Sequence, residues 1–273
     1  MTSINTNLSS LNAQRTLTKS AGDLSTSMQR LSSGLRVNSA KDDAAGMSIA
    51  TKMDAQVRGM SQASRNANDG ISMIQTADGA LSNISDALQR MRELAVQGAN
   101  DTNGTEEWKN IQTEMSALNT EIGRIASDTK FNGTALLTAA SVTKSIQVGA
   151  DAGQNIQVTF GANAAYAGLL ATDIDVNNVS TASDAITAID DALKALNTER
   201  SSLGTAQNRM GYAISNLATS IENQSAAKSR ITDTDYAAET SKLSRSQILQ
   251  QAGTAMLAQA NSAPNSVMSL LRG

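Results

Sequence analysis

Proline is almost absent from this chain, since Pro264 is the single one among 273 residues. Proline breaks helices because it lacks a backbone donor and clashes with the preceding turn, and an average composition would supply roughly fourteen. Aromatic residues make up only 2% of the chain, so the candidate core consists of Leu, Ile, Val, Met and abundant Ala. These residues suit helices that approach each other closely. We therefore predict long, thin helical packing rather than a thick core.

Two long stripes of apolar residues support this prediction. The clearer one runs from Ala182 to Ile221 with spacings of three and four, and only Arg200 and Gln207 interrupt it. Sustained over about forty residues, this spacing predicts one long helix in coiled-coil-like packing. A matching stripe predicts a second long helix over about Ala44 to Gln97. The fold class is therefore mainly α, a long helical bundle formed by the N-terminal and C-terminal halves.

A third helix and a small sheet are predicted between the two long ones. The loop 98–104 ends the second helix, and Thr105 is predicted to cap the third, with Glu106 and Glu107 in its first turn. Apolar residues then alternate in period two on either side of a polar turn, which predicts a β-hairpin near 145–160. Residues 161–180 read as a short surface connection.

Both ends of the chain carry helices that are apolar on one side. Such a helix needs a partner to cover its apolar face, and each alone is marginal in water. Two arrangements are open: the terminal helices cover each other within one chain, or they cover neighbouring copies.

Composition argues against catalysis, because the chain has no Cys and no His. Their absence removes disulfides, thiolate nucleophiles, catalytic triads and imidazole metal ligands. The three acidic pairs Asp42-Asp43, Glu106-Glu107 and Asp190-Asp191 are neighbours that point about 100° apart on a helix. We interpret them as helix starts and solvated faces. We expect no enzyme activity, no cofactor and no metal site.

Charge and hydropathy also limit the partners. A net charge of −3 with a pI near 5.1 offers no basic footprint, so we expect neither nucleic-acid binding nor membrane insertion. No stretch reaches the ~18 apolar residues of a membrane span. The first residues have neither a basic nor an apolar signal region, so we expect any export to proceed without a cleaved signal peptide.

Several blocks resemble one protein family in the same order. The segment 31–46, LSSGLRVNSAKDDAAG, is similar to the N-terminal signature of bacterial flagellins, the subunits of the flagellar filament. The segments 203–209, 229–239 and 246–254, and the ending from Met256 onward, are similar to C-terminal flagellin blocks. The resemblance covers about 1–140 and 183–273. Long blocks in order are far more specific than one short motif.

This resemblance implies a domain plan and a role. Residues 1–44 with 232–273 would form a terminal helical domain in the filament core, and 45–231 a long-helix bundle carrying the hairpin. The chain would be a short form without large outer domains. It would self-assemble into an extracellular filament for swimming, exported through the flagellar apparatus. Implied partners are other copies, a secretion chaperone, the filament cap and hook-junction proteins. The alternative is a hook-filament junction protein, which we expect to lack the blocks around Arg209 and Tyr236.

The resemblance also implies two sets of site residues. The segment 88–97 is similar to the flagellin stretch bound by a Toll-like innate receptor, with Arg90, Leu94 and Glu114 at matching positions. A polar stripe is more often plain solvated surface, and Leu94 fits a core position equally well. The receptor-binding set is Gln89, Arg90, Glu93, Leu94, Gln97 and Glu114. The polymerisation set is Leu8, Leu11, Leu24, Met28, Leu31, Leu35, Leu243, Leu249, Met256, Leu257, Leu270 and Leu271.

Overall fold

A computed structural model describes residues 6–137, 141–161 and 174–271, with the backbone alone over 263–271. Helices dominate these residues, which confirms the predicted fold class. In chain order the elements are α1 (Leu8–Ser33), α2 (Ala44–Gly98), α3 (Thr105–Asp128), β1 (Lys130–Phe131), β2 (Thr134–Ala135), β3 (Val142–Gln147), β4 (Asn155–Phe160), α4 (Val179–Thr232) and α5 (Tyr236–Leu271). No helix in this described part is long and apolar enough to cross a membrane.

The chain divides into two compact units. The terminal unit contains residues 1–55 and 223–273, and the central unit contains residues 56–222. The predicted boundaries lie near the start of α2 and the end of α4, whereas the two units divide within these helices, at 55/56 and 222/223. The predicted domain plan therefore stays a prediction.

The main apolar core of the central unit is built from α2, α3, α4 and the β3–β4 hairpin. Met60, Ala63 and Leu217 form a second, smaller apolar cluster in the same unit. The fully buried side chains of the main core follow the predicted stripes and include Leu81, Ile84, Leu88, Met91, Met115, Ile122, Ile189 and Leu196. Removal of these side chains from water is the main stabilising contribution, about 1.5–3 kcal/mol for each Leu, Ile or Met. The long predicted stripes are therefore the core faces of these helices.

Two hairpins lie in the central unit. Strands β3 and β4 are antiparallel, with Val142 opposite Phe160 and Gln147 opposite Asn155. On β4 every second residue is buried, and Phe160 is fully enclosed. The hairpin starts slightly before the predicted residue 145. The second hairpin, β1–β2, turns through Asn132 and Gly133, both with positive φ, as a two-residue hairpin turn requires.

Two helix starts differ from the sequence prediction. Helix α3 begins at Thr105, so Gly104 is its N-cap, and the Gly104 N–H donates to Glu107 Oε2 at 3.1 Å. Helix α4 begins at Val179, three residues before the predicted Ala182, because the Asn178 side chain accepts the Thr181 N–H at 2.9 Å. An Asn in this position satisfies a free backbone donor of the first turn. Most of the predicted connection, 162–173, lies outside the described residues.

Candidate assembly and recognition surfaces

In the terminal unit, α1 and α5 pack against each other in antiparallel orientation. Their shielded positions recur at spacings of three and four, which is the heptad pattern of a two-helix seam. We call this set the seam. It consists of Ser10, Ala13, Leu17, Ser20, Leu24, Ser27 and Leu31 on α1, and of Glu239, Leu243, Ser246, Gln250, Gly253, Leu257 and Ala260 on α5.

Polar contacts fix the register of the seam. The Ser10 hydroxyl donates to Asn261 Oδ1 at 2.6 Å, and the Ser27 hydroxyl donates to Glu239 Oε1 at 2.7 Å. Glu239 is only 4% exposed, and Lys242 Nζ lies 3.1 Å from its second oxygen. Burial raises the pKa of Glu239, but the hydrogen bonds from Ser27 and Lys242 outweigh it and leave that pKa below its ordinary value. Glu239 is therefore held as a carboxylate inside the helix pair.

Several large apolar side chains of the same helices stay in solvent. Leu8 is 70% exposed, Leu11 50% and Leu249 48%. Met28, Ile248 and Met256 are exposed by 59%, 64% and 64%. We call these six residues the off-seam set. Leu249 and Met256 are one heptad apart, so they lie on the same side of α5.

The predicted polymerisation residues thus fall into separate groups. Leu24, Leu31, Leu243 and Leu257 are partly buried in the seam within one chain. Leu8, Leu11, Met28, Leu249 and Met256 belong to the off-seam set. Leu35 lies in the connection between α1 and α2, where its backbone forms an isolated antiparallel β-bridge with Asp233. Leu270 and Leu271 belong to α5, but their side chains lie outside the described residues. Both arrangements considered for the terminal helices therefore have a physical basis in one molecule.

The segment 31–46 spans the last residues of α1, the connection 34–43 and the first residues of α2. Gly34 ends α1 with a φ of 73°, which favours glycine, and its carbonyl accepts the Thr234 N–H. Asp42 accepts hydrogen bonds from the Ser39 hydroxyl and from backbone N–H groups, and they lower its pKa. Asp43 accepts the Gly46 N–H at the start of α2. Asp43 therefore serves a helix start, whereas Asp42 holds the turn that precedes the helix.

In the central unit, Arg90 joins two of the helices. Its Nε and Nη2 donate to Glu114 Oε1 at 2.9 and 2.8 Å, and its Nη1 donates to Glu93 Oε2 at 3.1 Å. These hydrogen bonds raise the pKa of Arg90. About half of the Arg90 and Glu114 side chains stays exposed. The structure thus brings three of the predicted receptor residues into one solvent-facing charged group, which we call the Arg90 group.

The other three predicted receptor residues have different positions. Gln89 and Gln97 are exposed on α2, whereas Leu94 is only 3% exposed and belongs to the core. Of the two positions left open for Leu94 by the sequence, the structure shows the core position. Core side chains of α2 share one cluster with those of α3 and α4, so the buried stripe of α2 is wider than a single seam, and Leu94 is one of the added core positions.

Sequence reasoning missed three polar links in the central unit. Arg92 Nε donates to Asp190 Oδ1 at 2.6 Å, and Arg200 Nε donates to Asp78 Oδ1 at 2.8 Å. Both tie α2 to α4. The Gln112 side chain donates to the Ile174 carbonyl and accepts the Val176 N–H. Arg200 was visible as an interruption of an apolar stripe, but its partner is 122 residues away in the chain.

Comparisons with known proteins agree with these features. The family described as bacterial flagellin N-terminal helical region matches residues 4–142, and the bacterial flagellin C-terminal helical region matches residues 186–271. A flagellin of Halalkalibacterium halodurans is 47% identical over 272 residues, which cover 98% of this chain and 99% of the relative. The crystal structure of Bacillus cereus flagellin matches with a TM-score of 0.50 and 32% identity, over 56% of this chain and 88% of that chain.

A flagellin of Xenorhabdus nematophila is 44% identical over 309 aligned positions, which cover 98% of this chain and 99% of the relative. Because this chain has only 273 residues, that relative contains additional residues, as expected if this chain is a short form. The expectation of no catalysis is consistent with a family of structural proteins. On the matches to both flagellin regions and to relatives of nearly full length, the chain belongs to the bacterial flagellin family and is a structural subunit of the flagellar filament.

Proposed function

We propose that this subunit assembles into the filament through the off-seam residues of its terminal unit, which pack against neighbouring copies. The observation that carries the proposal is the distribution of side chains on α1 and α5. Small and polar residues fill much of the seam, whereas Leu8, Met28 and Met256 are more than half exposed. An exposed apolar group of this size in a folded chain is typical of a surface with a partner.

Burial of the off-seam side chains would contribute enough free energy to drive assembly. Full burial of a Leu or Met side chain stabilises by roughly 1.5–3 kcal/mol. The off-seam residues are exposed by between 48% and 70%, so burial of each side chain on assembly would contribute about 1 kcal/mol more. Six such residues in every subunit supply a cumulative driving force that an isolated chain does not use.

The test is a charge placed on this surface. Leu249→Asp leaves an unpaired carboxylate in a contact that assembly would desolvate, and it should abolish filament formation while circular dichroism of the monomer stays unchanged. The matched control is Leu249→Met, which keeps an apolar side chain and should assemble normally. Normal filaments from Leu249→Asp, seen by negative-stain microscopy, would contradict the proposal.

Membership in the flagellin family supports the remaining cellular context. We propose that the chain leaves the cell through the flagellar export apparatus. We further propose that it meets a secretion chaperone, the filament cap and hook-junction proteins on the way. Similarity to flagellins over nearly the whole chain supports the filament role over that of a hook-filament junction protein. Purified filament subunit should form long filaments, whereas a junction protein should form short assemblies or none.

The Arg90 group supports a second candidate role as a ligand of a Toll-like innate receptor. Arg90 is held by two carboxylates from two helices, Glu93 on α2 and Glu114 on α3. Its side chain is therefore ordered before binding, which lowers the entropy cost of recognition. Arg is also among the residues most often found at the energetic centre of protein interfaces. Because Leu94 is buried, the proposed contact relies on the Arg90 group with Gln89 and Gln97.

A further inference from the structure

We propose that Met28 and Met256 form an oxidation-sensitive element of the assembly surface, so that peroxide-class oxidants acting on the free subunit prevent its polymerisation. This inference rests on the proposed function of the off-seam set. The chemical reagent is a two-electron oxidant, and the modified group is the methionine thioether.

The nine methionines whose side chains the structure describes differ sharply in exposure. Met28 and Met256 are 59% and 64% exposed. Five other methionines lie in the central unit with exposures between 0% and 8%: Met60, Met73, Met91, Met115 and Met210. Met47 and Met53 are partly buried. Methionine oxidation requires access of the oxidant to the sulfur. We therefore expect Met28 and Met256 to be oxidised readily and the five buried methionines to be protected.

The reaction needs only the thioether and the oxidant. The sulfur lone pair attacks one oxygen of hydrogen peroxide, a sulfur–oxygen bond forms and the oxygen–oxygen bond breaks. Sulfur is oxidised by two electrons, and the other peroxide oxygen leaves as water after proton transfer. The product, methionine sulfoxide, is a polar and chiral side chain in place of a flexible apolar one.

Oxidation of Met28 and Met256 affects assembly because both residues lie on the proposed assembly surface. Met28 lies on α1 and Met256 on α5, so one oxidant alters both helices of the terminal unit. In the monomer the sulfoxides remain hydrated and cost little. In the filament each new S=O group would be desolvated without a partner, and this cost raises the critical concentration for assembly by about tenfold for each sulfoxide.

The central unit should not respond in the same way. Its buried methionines are enclosed in the apolar core, so mild peroxide treatment should leave that core intact. Assembly itself should also protect the pair, since polymerisation removes both sulfurs from solvent. The expected behaviour is therefore a subunit that is vulnerable before incorporation and resistant afterwards.

The experiment treats full-length monomer with hydrogen peroxide, locates sulfoxides by peptide mass spectrometry, and measures the critical concentration by pelleting. We expect sulfoxides at Met28 and Met256 well before Met91 or Met115, and a critical concentration about a hundredfold higher when both are oxidised. Reduction by methionine sulfoxide reductases should restore assembly. In the double variant Met28→Leu, Met256→Leu, the same peroxide dose should not change the critical concentration from that variant's own untreated value. In peroxide-treated filaments of the unsubstituted protein, Met28 and Met256 should stay unoxidised.

Three results would overturn the inference: oxidation of Met115 as fast as Met28, normal assembly of the doubly oxidised protein, or equal loss of assembly in the leucine variant. If the leucine variant fails before treatment, the reductase arm decides, because restored assembly supports the inference and permanent loss contradicts it. Failure of the proposed function has a different signature, since Leu249→Asp would then assemble normally.

Discussion

Removal of the hydrogen bond between Ser27 and Glu239 tests directly how strongly the two terminal helices hold each other. The Ser27 hydroxyl donates to the buried Glu239 carboxylate at 2.7 Å. Hydrogen bonds to charged groups contribute about 1.5–3 kcal/mol. After Ser27→Ala, the carboxylate keeps Lys242, whose side chain is 57% exposed, and an ion pair with so exposed a partner compensates weakly. We expect a loss of about 2 kcal/mol from the pairing of α1 with α5.

Hydrogen exchange on the full chain can measure this loss locally. A loss of about 2 kcal/mol corresponds to roughly thirtyfold faster exchange when opening is local. The acceleration should be confined to peptides from α1 and α5, because the central unit has its own core. The matched control is Thr26→Ala, an exposed neighbour whose hydroxyl bonds only within its helix. Equal exchange rates in the two variants would refute the reasoning that this buried hydrogen bond stabilises the pairing of α1 with α5.

Two further predictions concern charge. Because the folded state lowers the pKa of Glu239, its stabilising contribution is complete above the ordinary glutamate range and is lost as pH falls through the lowered value. Exchange protection of α1 and α5, corrected for intrinsic rates, should follow this fall, and Glu239→Gln should flatten it; an unchanged pH profile in that variant would count against the assignment. Arg90→Ala or Glu114→Ala should weaken monomer binding to a Toll-like receptor ectodomain about thirtyfold, whereas Arg124→Ala, an exposed arginine paired within α3, should not. Equal affinities for all three would make the motif match coincidental.

The sequence predicted the long helices well because their signal is repeated many times. Helix α2 was expected over Ala44 to Gln97 and spans Ala44–Gly98, since each turn contributes one or two apolar residues to the same face. The hairpin was found through the alternation that ends at Phe160. Helix starts were less predictable, because Gly104 and Asn178 act through a few short-range hydrogen bonds that the local sequence suggests only weakly.

The division of the terminal apolar residues could not be predicted from one sequence. Leu24 and Leu249 are both apolar residues on one-sided helices, yet the first lies in the seam and the second in solvent. Only the register of α1 against α5 separates them, and that register depends on contacts such as Ser10 with Asn261, 251 residues apart. Likewise, the apolar stripe on α2 could not show that Leu94 is a core residue, because that depends on how α2 shares its core with α3 and α4.

The measurement that tests the central claim most directly is a cryo-microscopy reconstruction of filaments assembled from this chain. We expect the seam to persist, with Ser27 against Glu239 inside each subunit. We also expect Leu8, Leu11 and Leu249 to be buried against neighbouring copies. A filament in which these three side chains line solvent, with contacts between subunits made elsewhere, would contradict the assignment of the off-seam set as the assembly surface.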